Sequence, residues 1–433
     1  MRYGMILIWA VGMATVPGYD PDEVIQRVKL NAMRTVKSVP NYTCVETVSR
    51  EFYQPTAVEL PRTCEVALEQ RHHRTLDMGL RFFSRDRLRL DVTMTGHGEV
   101  FSWVGAKKFE DGGIDQVVRS GPMSTGSFAG FLTAVFETDV KKLTFDQSKM
   151  AGQRLLLQYS FYVPRARSHY RVRSGREWVM VDYGGTIDVD PETADVVAMR
   201  IESGAMPDAS GICQATTAME FVKVSMSGGQ FLLPKKANNH FIYPNGDETE
   251  NTMTFGNCRE FHGESTLTFG PYEGAADGNS KAAAWPEMLI PAGMSFSMAL
   301  TKAIATDTTA AGDAFSAKLA EAVRDVRGKV IYAKGTPVEG RVLRVQSYAR
   351  PPSVVVVLRP EAFRIRGERV PFNAIRDWSR ARLRSTGKGR KKMEIVLTAK
   401  GESYAQAYQF EGEHAVVPSG FQSDWKTSEG NSQ

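Results

Sequence analysis

Apolar and polar residues alternate with a period of two along most of the chain between residues 42 and 269. Successive side chains of a β-strand point to opposite faces, so this alternation predicts a long series of antiparallel strands. In the first run, 42–53, one face carries Cys44, Glu46, Val48 and Arg50. The pattern predicts a mainly β fold built on a large curved antiparallel sheet.

Two segments have helical rather than strand-like spacing. Asp20 and Pro21 precede apolar residues spaced three and four apart, so we expect an amphipathic helix over Asp22 to Ser38 with Asp20 as its N-cap. A short apolar helix is predicted over Phe128 to Phe136, capped by Ser127. This segment is too apolar to lie in water, so we expect it to cover the mouth or one face of a half-barrel sheet.

The second half of the chain contains short strand-like runs at roughly ten-residue spacing, which is typical of a small β-barrel. Residues 270–285 are mostly Gly, Ala and small polar residues, the composition of a flexible linker. We therefore predict a curved sheet domain over 19–269 and a separate small β-barrel domain over 286–412. The polar residues 413–433 are predicted to form a disordered tail.

The N-terminal residues 1–18 have the features of a secretory signal peptide. Arg2 precedes an apolar run from Met5 to Val11, and the small residues Gly12 and Ala14 follow it. This predicts a protein that is periplasmic or otherwise exported, and the alternative is an uncleaved apolar tail. No other run approaches the ~18 apolar residues that span a bilayer, so we expect no transmembrane segment in the mature chain.

The four cysteines, Cys44, Cys64, Cys213 and Cys258, have neither Cys-x-x-Cys nor zinc-finger spacing, so no metal site is expected. An even number of cysteines in an exported chain predicts two disulfides. Of the possible pairings we favour Cys44–Cys64 with Cys213–Cys258, since each joins neighbouring strand segments across a moderate loop. The alternative is four buried free thiols.

Charge adds one candidate site. The net charge of +5 is small for 433 residues, and we expect no nucleic-acid partner. One basic segment between two predicted strands has the charge to bind phosphate groups of nucleic acid, lipopolysaccharide or anionic lipid, and the alternative is a solvated hairpin loop. The candidate anion-binding residues are Arg380, Arg382, Arg384, Lys388, Arg390, Lys391 and Lys392.

Aromatic residues are frequent in the first predicted domain. They either line an apolar cavity or fill a core between sheet and helix, and the core interpretation is favoured. A curved sheet closed by apolar helices can nevertheless leave an unfilled interior, which keeps the cavity interpretation open. The candidate cavity-lining residues are Phe101, Trp103, Phe128, Phe131, Phe136 and Trp178.

No catalytic motif is evident in the sequence. His169 has the chemistry of a general base, but no Ser or Cys in a nucleophile setting lies near it in sequence. Ser124 lies in a Gly-rich loop that matches neither Gly-x-Ser-x-Gly nor Ser-x-x-Lys. We therefore expect a non-enzyme without catalytic residues or cofactor, and a hydrolase of unrecognised type is the less favoured alternative.

The order of elements over residues 20–270 resembles the periplasmic lipoprotein carriers of the LolA/LolB type. The shared features are a signal peptide, the helix Asp22 to Ser38, a long antiparallel meander and the apolar insertion Phe128 to Phe136. Short stretches such as Asn41-Tyr42-Thr43-Cys44 also resemble uncharacterised exported bacterial proteins. The carrier resemblance implies a half-barrel that holds an acyl chain, and it transfers no ligand-contacting residue to this chain.

A different resemblance covers 286–412. Ile290-Pro291-Ala292-Gly293, Gly312-Asp313 and the stretch from Ala333 to Val342 are similar to the small β-barrel of TrbI-type conjugation and type IV secretion scaffold proteins. This resemblance implies a barrel that docks to another protein.

The sequence thus favours an exported, non-catalytic protein of the cell envelope. Its N-terminal half-barrel is predicted to bind an apolar ligand such as a lipid or the acyl chain of a lipoprotein. Its C-terminal barrel is predicted to dock to another envelope protein. The alternative is a purely structural or protein-interaction module in which both cores are filled.

Overall fold

The structure is a computed structural model that describes residues 18–38, 42–56, 63–72, 79–95, 98–106, 109, 114–118, 121–174, 177–226, 229–260, 290–324, 327–377, 379 and 404–429. Three predictions lie outside these residues. They are the signal peptide before Gly18, the linker 270–285 and the basic segment from Arg380 to Lys392.

The described chain is rich in strands and has few helices. The helices are α1 (Pro21–Ser38), α2 (Cys64–His72), α3 (Ile114–Val117) and α4 (Gly130–Thr133), which a π-helical turn (Ala134–Thr138) continues. Short 3-10 turns occur at Arg165–Arg167 and Asp208–Ser210. The paired strands within each unit are antiparallel, as the period-two alternation predicts, and the mainly β fold class is confirmed.

The strands are, in chain order, β1 (Tyr42–Pro55), β2 (Leu80–Thr95), β3 (Gly98–Trp103), β4 (Thr144–Ala151), β5 (Arg154–Val163), β6 (Arg171–Ser174), β7 (Glu177–Met180), β8 (Tyr183–Asp190), β9 (Asp195–Ser203), β10 (Gln214–Met226), β11 (Gly229–Ile242), β12 (Glu248–Glu260), β13 (Ser295–Leu300), β14 (Ile304–Ala305), β15 (Ala314–Leu319), β16 (Val323–Arg324), β17 (Val330–Tyr332), β18 (Pro337–Ala349), β19 (Pro352–Ile365), β20 (Glu368–Pro371), β21 (Asn373–Arg376), β22 (Gln406–Glu411), β23 (Val416–Val417) and β24 (Gln422–Ser428).

Contacts divide the chain into two compact units. Unit 1 consists of the described residues within 1–40 and 126–238, and unit 2 of those within 41–125 and 239–433. Both units are therefore discontinuous in sequence, and this division differs from the predicted one at 270–285. The boundary at the linker stays a prediction, because the linker lies outside the described residues.

Unit 1 is an antiparallel sheet with helix α1 on one face. Its strands pair in the spatial order β4-β5-β8-β9-β10, and β6 and β7 form a separate hairpin. Asp20 caps α1 as predicted, since its Oδ1 accepts a hydrogen bond of 2.9 Å from the backbone N–H of Asp22. The buried face of the helix consists of Val24, Ile25, Val28 and Ala32.

The apolar insertion of unit 1 differs from the prediction at its start. The α-helix begins at Gly130 rather than Phe128, and the residue before it, Ala129, makes no side-chain cap. The Ser127 hydroxyl is buried and has no hydrogen-bond partner, so the predicted Ser127 cap is wrong. Residues 127–129 instead form a turn that follows Gly126 at φ +99°, and the Gly126 carbonyl accepts a hydrogen bond from the N–H of Phe131.

Unit 2 contains the sheet β12-β1-β2. Two strands pair with different parts of β2 on the side that does not face β1. Strand β3 pairs with residues 90–95 of β2, and β18 pairs with residues 84–86. The N–H of Arg89 also donates to the carbonyl of Ala311 at 2.7 Å, and Arg89 forms an ion pair with Asp313. Residues from both sides of the predicted linker are therefore hydrogen-bonded to the same strand.

Seven further strands of unit 2 pair in the order β20-β19-β18-β15-β13-β24-β21, and β22 also pairs with β19. The two end strands, β20 and β21, are separated only by Phe372 in the chain, and we call these seven strands the strand circuit. Aromatic rings fill the space that these strands surround, with the rings of Phe296 and Phe363 5.3 Å apart and those of Phe363 and Phe372 4.4 Å apart. The core here is packed rather than open.

The C-terminal segment 413–433 differs from the prediction of a disordered tail. Its described part contains β23 and β24, and β24 pairs with both β13 and β21. Trp425 of β24 is fully buried in the core at 0% exposure. The composition is polar because successive side chains of β24 alternate between the core and the other face, so only every second residue contributes to the core.

The disulfide pairing predicted from spacing is wrong. Cys44 of β1 is bonded to Cys258 of β12, 214 residues later, with a Cα–Cα distance of 4.0 Å. This excludes both Cys44–Cys64 and Cys213–Cys258. Cys64 and Cys213 are also disulfide-bonded, and no cysteine is free. Strands distant in sequence pair in space, which loop length alone does not reveal.

Among the described residues, no helix is both long enough and apolar enough to cross a membrane.

Candidate functional site

The most unusual side chains of unit 2 lie on the buried face of β1, which consists of Cys44, Glu46, Val48 and Arg50. Residues directly opposite on paired strands share a face, so the neighbours of this face follow from the register. Glu46 lies opposite Leu90 of β2, and Val48 lies opposite Leu88 of β2 and Met253 of β12. Further residues that extend the apolar face are Val92 and Phe101.

Glu46 is the exception on this apolar face. Its side chain is 3% exposed, and its Oε2 has no hydrogen-bond partner. Burial, with a smaller contribution from the charge of Glu99 on β3, raises the pKa of Glu46 to about 8. At neutral pH this residue is therefore an uncharged carboxylic acid, which can donate one hydrogen bond and accept others.

Arg50 lies four residues further along the same face and forms a bidentate ion pair with Asp86. Its Nε and Nη2 donate to the two carboxylate oxygens of Asp86, opposite it on β2, at 2.8 and 2.5 Å. Both side chains are buried, with exposures of 2% and 6%. A bidentate guanidinium–carboxylate pair offsets part of the desolvation cost of both charges.

A short irregular segment covers this end of the face. Gly121 has φ +76°, and a Cβ built on it would lie 2.5 Å from Nη1 of Arg50, so the backbone rests directly on the guanidinium. Asn251 of β12, opposite Arg50, donates from Nδ2 to the carbonyl of Pro122 at 2.9 Å. The cover is therefore an irregular loop, 121–125, that rests on Arg50 and is hydrogen-bonded to Asn251.

Unit 1 has its own aromatic cluster around the insertion. The ring of Phe131 lies 5.5 Å from that of Tyr170 and 6.5 Å from that of Tyr183, and Tyr183 also contacts Phe161 at 6.1 Å. Burial raises the pKa of Tyr170 to about 12. These rings fill the space between the insertion and strands β5 and β8.

Asp139, directly after the π-helical turn, holds this cluster together and is 0% exposed. It accepts hydrogen bonds from the Tyr183 hydroxyl at 2.8 Å, from the Thr138 hydroxyl at 2.7 Å and from the backbone N–H of His169 at 3.0 Å. Burial alone would raise the pKa of Asp139, but the hydrogen bonds from His169, Thr138 and Tyr183 lower it below its usual value.

The His169 imidazole also contacts Asp139, with Nδ1 2.5 Å from Oδ1. A carboxylate at Nδ1 favours the tautomer that carries its proton there, which leaves Nε2 as the acceptor. The side chain is 69% exposed, so Nε2 faces water. This is the arrangement of a carboxylate-oriented base, but no nucleophilic side chain is among the described contacts of His169.

The structure distributes the six candidate cavity residues over both units. Phe101 is buried in unit 2, and Trp103 is partly buried there. Phe128, Phe131 and Phe136 are buried in unit 1 within the insertion. Trp178 is different, because it is 54% exposed on the β6–β7 hairpin, where the guanidinium of Arg171 lies 5.5 Å from its ring. Trp178 therefore does not line an apolar interior.

A groove of about 390 Å³ is lined by residues of β5, β8 and β9 in unit 1. Its lining includes Tyr162, Asp182, Gly184, Arg200 and Glu202. The Tyr162 hydroxyl donates to Asp182 at 3.1 Å. Charged side chains lie beside an aromatic ring here, so the groove is not the purely apolar site that the sequence predicts.

The described part of the structure gives no support to the other candidate sites, which are a metal site, Ser124 and the basic segment. The described residues contain no group of three or more His, Cys, Asp or Glu side chains placed to hold a metal ion. The Ser124 hydroxyl donates to the adjacent carbonyl of Thr125 at 3.2 Å. The anion-binding prediction for Arg380 to Lys392 lies outside the described residues and stays a prediction.

Comparison with known proteins adds one structural likeness. No protein-family model matches this chain, and no curated protein matches it. The crystal structure of a LolA superfamily protein from Nitrosomonas europaea is similar over 56% of this chain and 93% of its own, with a TM-score of 0.27 and 7% sequence identity. The resemblance of residues 286–412 to TrbI-type scaffolds stays a prediction.

Sequence reasoning missed Glu46, Arg50 and Asp139. Glu46 and Arg50 share the strand face of Cys44 and Val48, but alternation alone does not show which face of a strand is buried. No local sequence pattern marks Asp139. Its role is to accept hydrogen bonds from Tyr183 and His169, which are 44 and 30 residues away in sequence.

Proposed function

We propose that this chain is an exported, non-catalytic protein that binds an apolar ligand on the buried face of β1, β2, β3 and β12. The observation that carries the proposal is how this apolar face is covered. The described part of the cover is the loop from Gly121 to Thr125, which rests on Arg50 and is hydrogen-bonded to Asn251 through Pro122.

A short, irregular cover over a regular apolar sheet is easily displaced. Few backbone hydrogen bonds hold such a segment, so its local opening costs less than opening of the sheet beneath it. An acyl chain that replaces the cover would restore the buried apolar contacts, and each buried methylene contributes about 0.8 kcal/mol. This is the lipid-carrier role that the order of elements in the sequence implies.

Export is part of the proposal and rests on two features. The first is the signal-peptide pattern of residues 1–18, and the second is the disulfide bonding of the cysteines. Disulfides persist in oxidising compartments such as the periplasm and are rare in the cytosol.

The strand circuit of unit 2 is proposed to dock to another envelope protein. Its interior is filled with aromatic and aliphatic side chains, so it has no room for a ligand of its own. Exposed apolar side chains of unit 2 offer contacts to a partner. Ile375 lies on β21 of the circuit, and Val330, Ile331 and Val416 lie on β17 and β23 of the same unit.

A purely structural module is the second candidate, and the complete burial of Phe101, Phe128 and Phe131 favours it. Native mass spectrometry of protein purified from its own host distinguishes the two. We expect a co-purifying lipid, and titration with a fluorescent C16 probe should saturate at one site. A Trp178→Ala variant is the matched control, because that exposed ring lies on a separate hairpin and its removal should leave binding unchanged. Absence of both lipid and saturable probe binding would support the structural module.

The non-catalytic part of the proposal has its own test, because Asp139 orients His169 as a base. Activated esters should be hydrolysed no faster by wild type than by a His169→Ala variant. A rate that falls at least tenfold in His169→Ala would establish catalysis and would overturn this part of the proposal.

A further inference from the structure

The two polar residues on the buried face of β1 differ in one respect. Arg50 has both carboxylate oxygens of Asp86 as partners, whereas Oε2 of Glu46 has none. Only one residue separates each of them from Val48, and the same sheet covers both. The buried guanidinium of Arg50 is therefore paired with a carboxylate, whereas the buried carboxyl oxygen Oε2 of Glu46 has no hydrogen-bond partner.

A buried carboxyl oxygen without a hydrogen bond lowers the stability of the folded protein. A polar group without a hydrogen bond loses its hydration on burial and gains nothing in return. The residues opposite Glu46 are Leu90 and Phe255, which offer no side-chain donor or acceptor. An apolar residue at this position would remove the cost, so a carboxyl group here has no structural benefit within the described chain.

The protonation state limits what Glu46 can bind. Because burial keeps the acid uncharged at neutral pH, a cation gains little from it, whereas an oxygen acceptor can receive its O–H. The surrounding face, formed by Val48, Leu90 and Val92, favours an apolar ligand body. The complementary ligand is an alkyl chain that carries a carbonyl oxygen.

We infer that Glu46 is a specificity-determining residue that donates a hydrogen bond from its carboxylic acid to the carbonyl oxygen of an acyl-chain ligand lying on the buried face of β1. This inference rests on the proposed function, because it requires an apolar ligand on that face. It adds the chemical group that distinguishes an acyl ester or amide from a plain hydrocarbon.

The test compares two uncharged C16 compounds that differ only at one position. Methyl hexadecanoate carries the carbonyl, and hexadecyl methyl ether has a methylene in its place. Both are delivered from cyclodextrin to the full-length protein at pH 7, and dissociation constants are measured by native mass spectrometry. The proteins are wild type, Glu46→Leu and Glu46→Gln, and thermal unfolding of each confirms that it is folded.

We expect wild type to bind the ester about tenfold more tightly than the ether. Glu46→Leu should bind the ester only as tightly as the ether, while Glu46→Gln, which retains an N–H donor, should keep most of the preference. Equal binding of both compounds by wild type, or an unchanged ester preference in Glu46→Leu, would overturn the role of Glu46 and leave the proposed function intact. If wild type binds neither compound, the proposed function itself fails.

Discussion

The hydroxyl of Tyr183 donates a hydrogen bond of 2.8 Å to Oδ2 of Asp139, and this bond fastens the apolar insertion to strand β8. Asp139 is the last anchor of a segment that has no side-chain cap at its start. Asp139 and its hydrogen-bond donors therefore stabilise the insertion in addition to its buried aromatic contacts.

Replacement of this carboxylate should destabilise unit 1. We expect Asp139→Asn to lower the free energy of unfolding by about 1–3 kcal/mol, because the amide cannot accept all the hydrogen bonds that the carboxylate does. Tyr183→Phe removes one donor and should cost less. Urea unfolding followed by circular dichroism measures both, and equal stability of Asp139→Asn and wild type would contradict the anchor role.

Asp139 should also make the stability of the folded protein depend on pH in the acid range. The pKa of Asp139 is lower in the folded protein than in the unfolded chain, so its contribution is complete above the unfolded pKa and is lost as the pH falls through the folded one. Wild type should therefore lose more stability than Asp139→Asn between pH 5 and pH 2. Parallel profiles of unfolding free energy against pH for the two proteins would contradict this role of Asp139.

Glu46 predicts the opposite dependence on pH. Its folded pKa of about 8 lies above the usual value of 4.5, so between these pH values the folded protein holds a proton that the unfolded chain has released. Stability should then fall by up to roughly 1.4 kcal/mol per pH unit from this group as the pH rises from 4.5 to 8. The charge of Glu99 contributes to the raised pKa of both Glu46 and Tyr42. Glu46→Gln should flatten the stability profile measured by thermal unfolding.

The contact between Gly121 and Arg50 can be isolated with a matched pair of substitutions. Gly121 and Gly105 have similar φ values of +76° and +73°, but only at Gly121 would a Cβ meet Arg50, since nothing lies within 4 Å at Gly105. Both alanine variants should lose about 1 kcal/mol from backbone strain. Gly121→Ala should lose more and should also increase protease cleavage in the 121–125 loop.

An equal loss of stability in the two glycine variants would show that the loop does not rest on Arg50. The measurement is the difference in urea midpoint between the two variants at constant m-value, because a shared backbone effect then cancels.

The Cys44–Cys258 disulfide should contribute strongly to stability. Removal of a bond that closes so long a loop is expected to cost about 2–5 kcal/mol, and a Cys44→Ser/Cys258→Ser double variant avoids a free thiol. Differential scanning calorimetry of this variant against wild type gives the cost. An unchanged melting temperature would mean that the β1–β12 pairing alone fixes these strands.

Local features of this fold could be predicted from the sequence more completely than distant ones. The Asp20 cap and the period-two strands each depend on residues within a few positions, and both are present. The disulfide pairing and the strand at Trp425 depend on partners more than a hundred residues away. No local pattern contains that information, so both predictions were wrong.

The candidate site shows the same limit for a different reason. Alternation placed Glu46 and Arg50 together on one face, but it could not show which face is buried. A strand with charges on one side is normally solvated on that side. Only the register with Leu90 and Asp86 shows that the charged side faces the interior.

The pairing of β1 with β12 has a consequence for how the chain is made. Synthesis proceeds from the N-terminus. Strands β1 and β2 pair with each other early, but β1 must wait for residue 248 before its second partner β12 exists, and β2 must wait for residue 346 of β18. The meander from β4 to β10 pairs neighbour with neighbour and can form meanwhile. Unit 2 is therefore completed late, and during that interval its unpaired edges and apolar face need protection from aggregation.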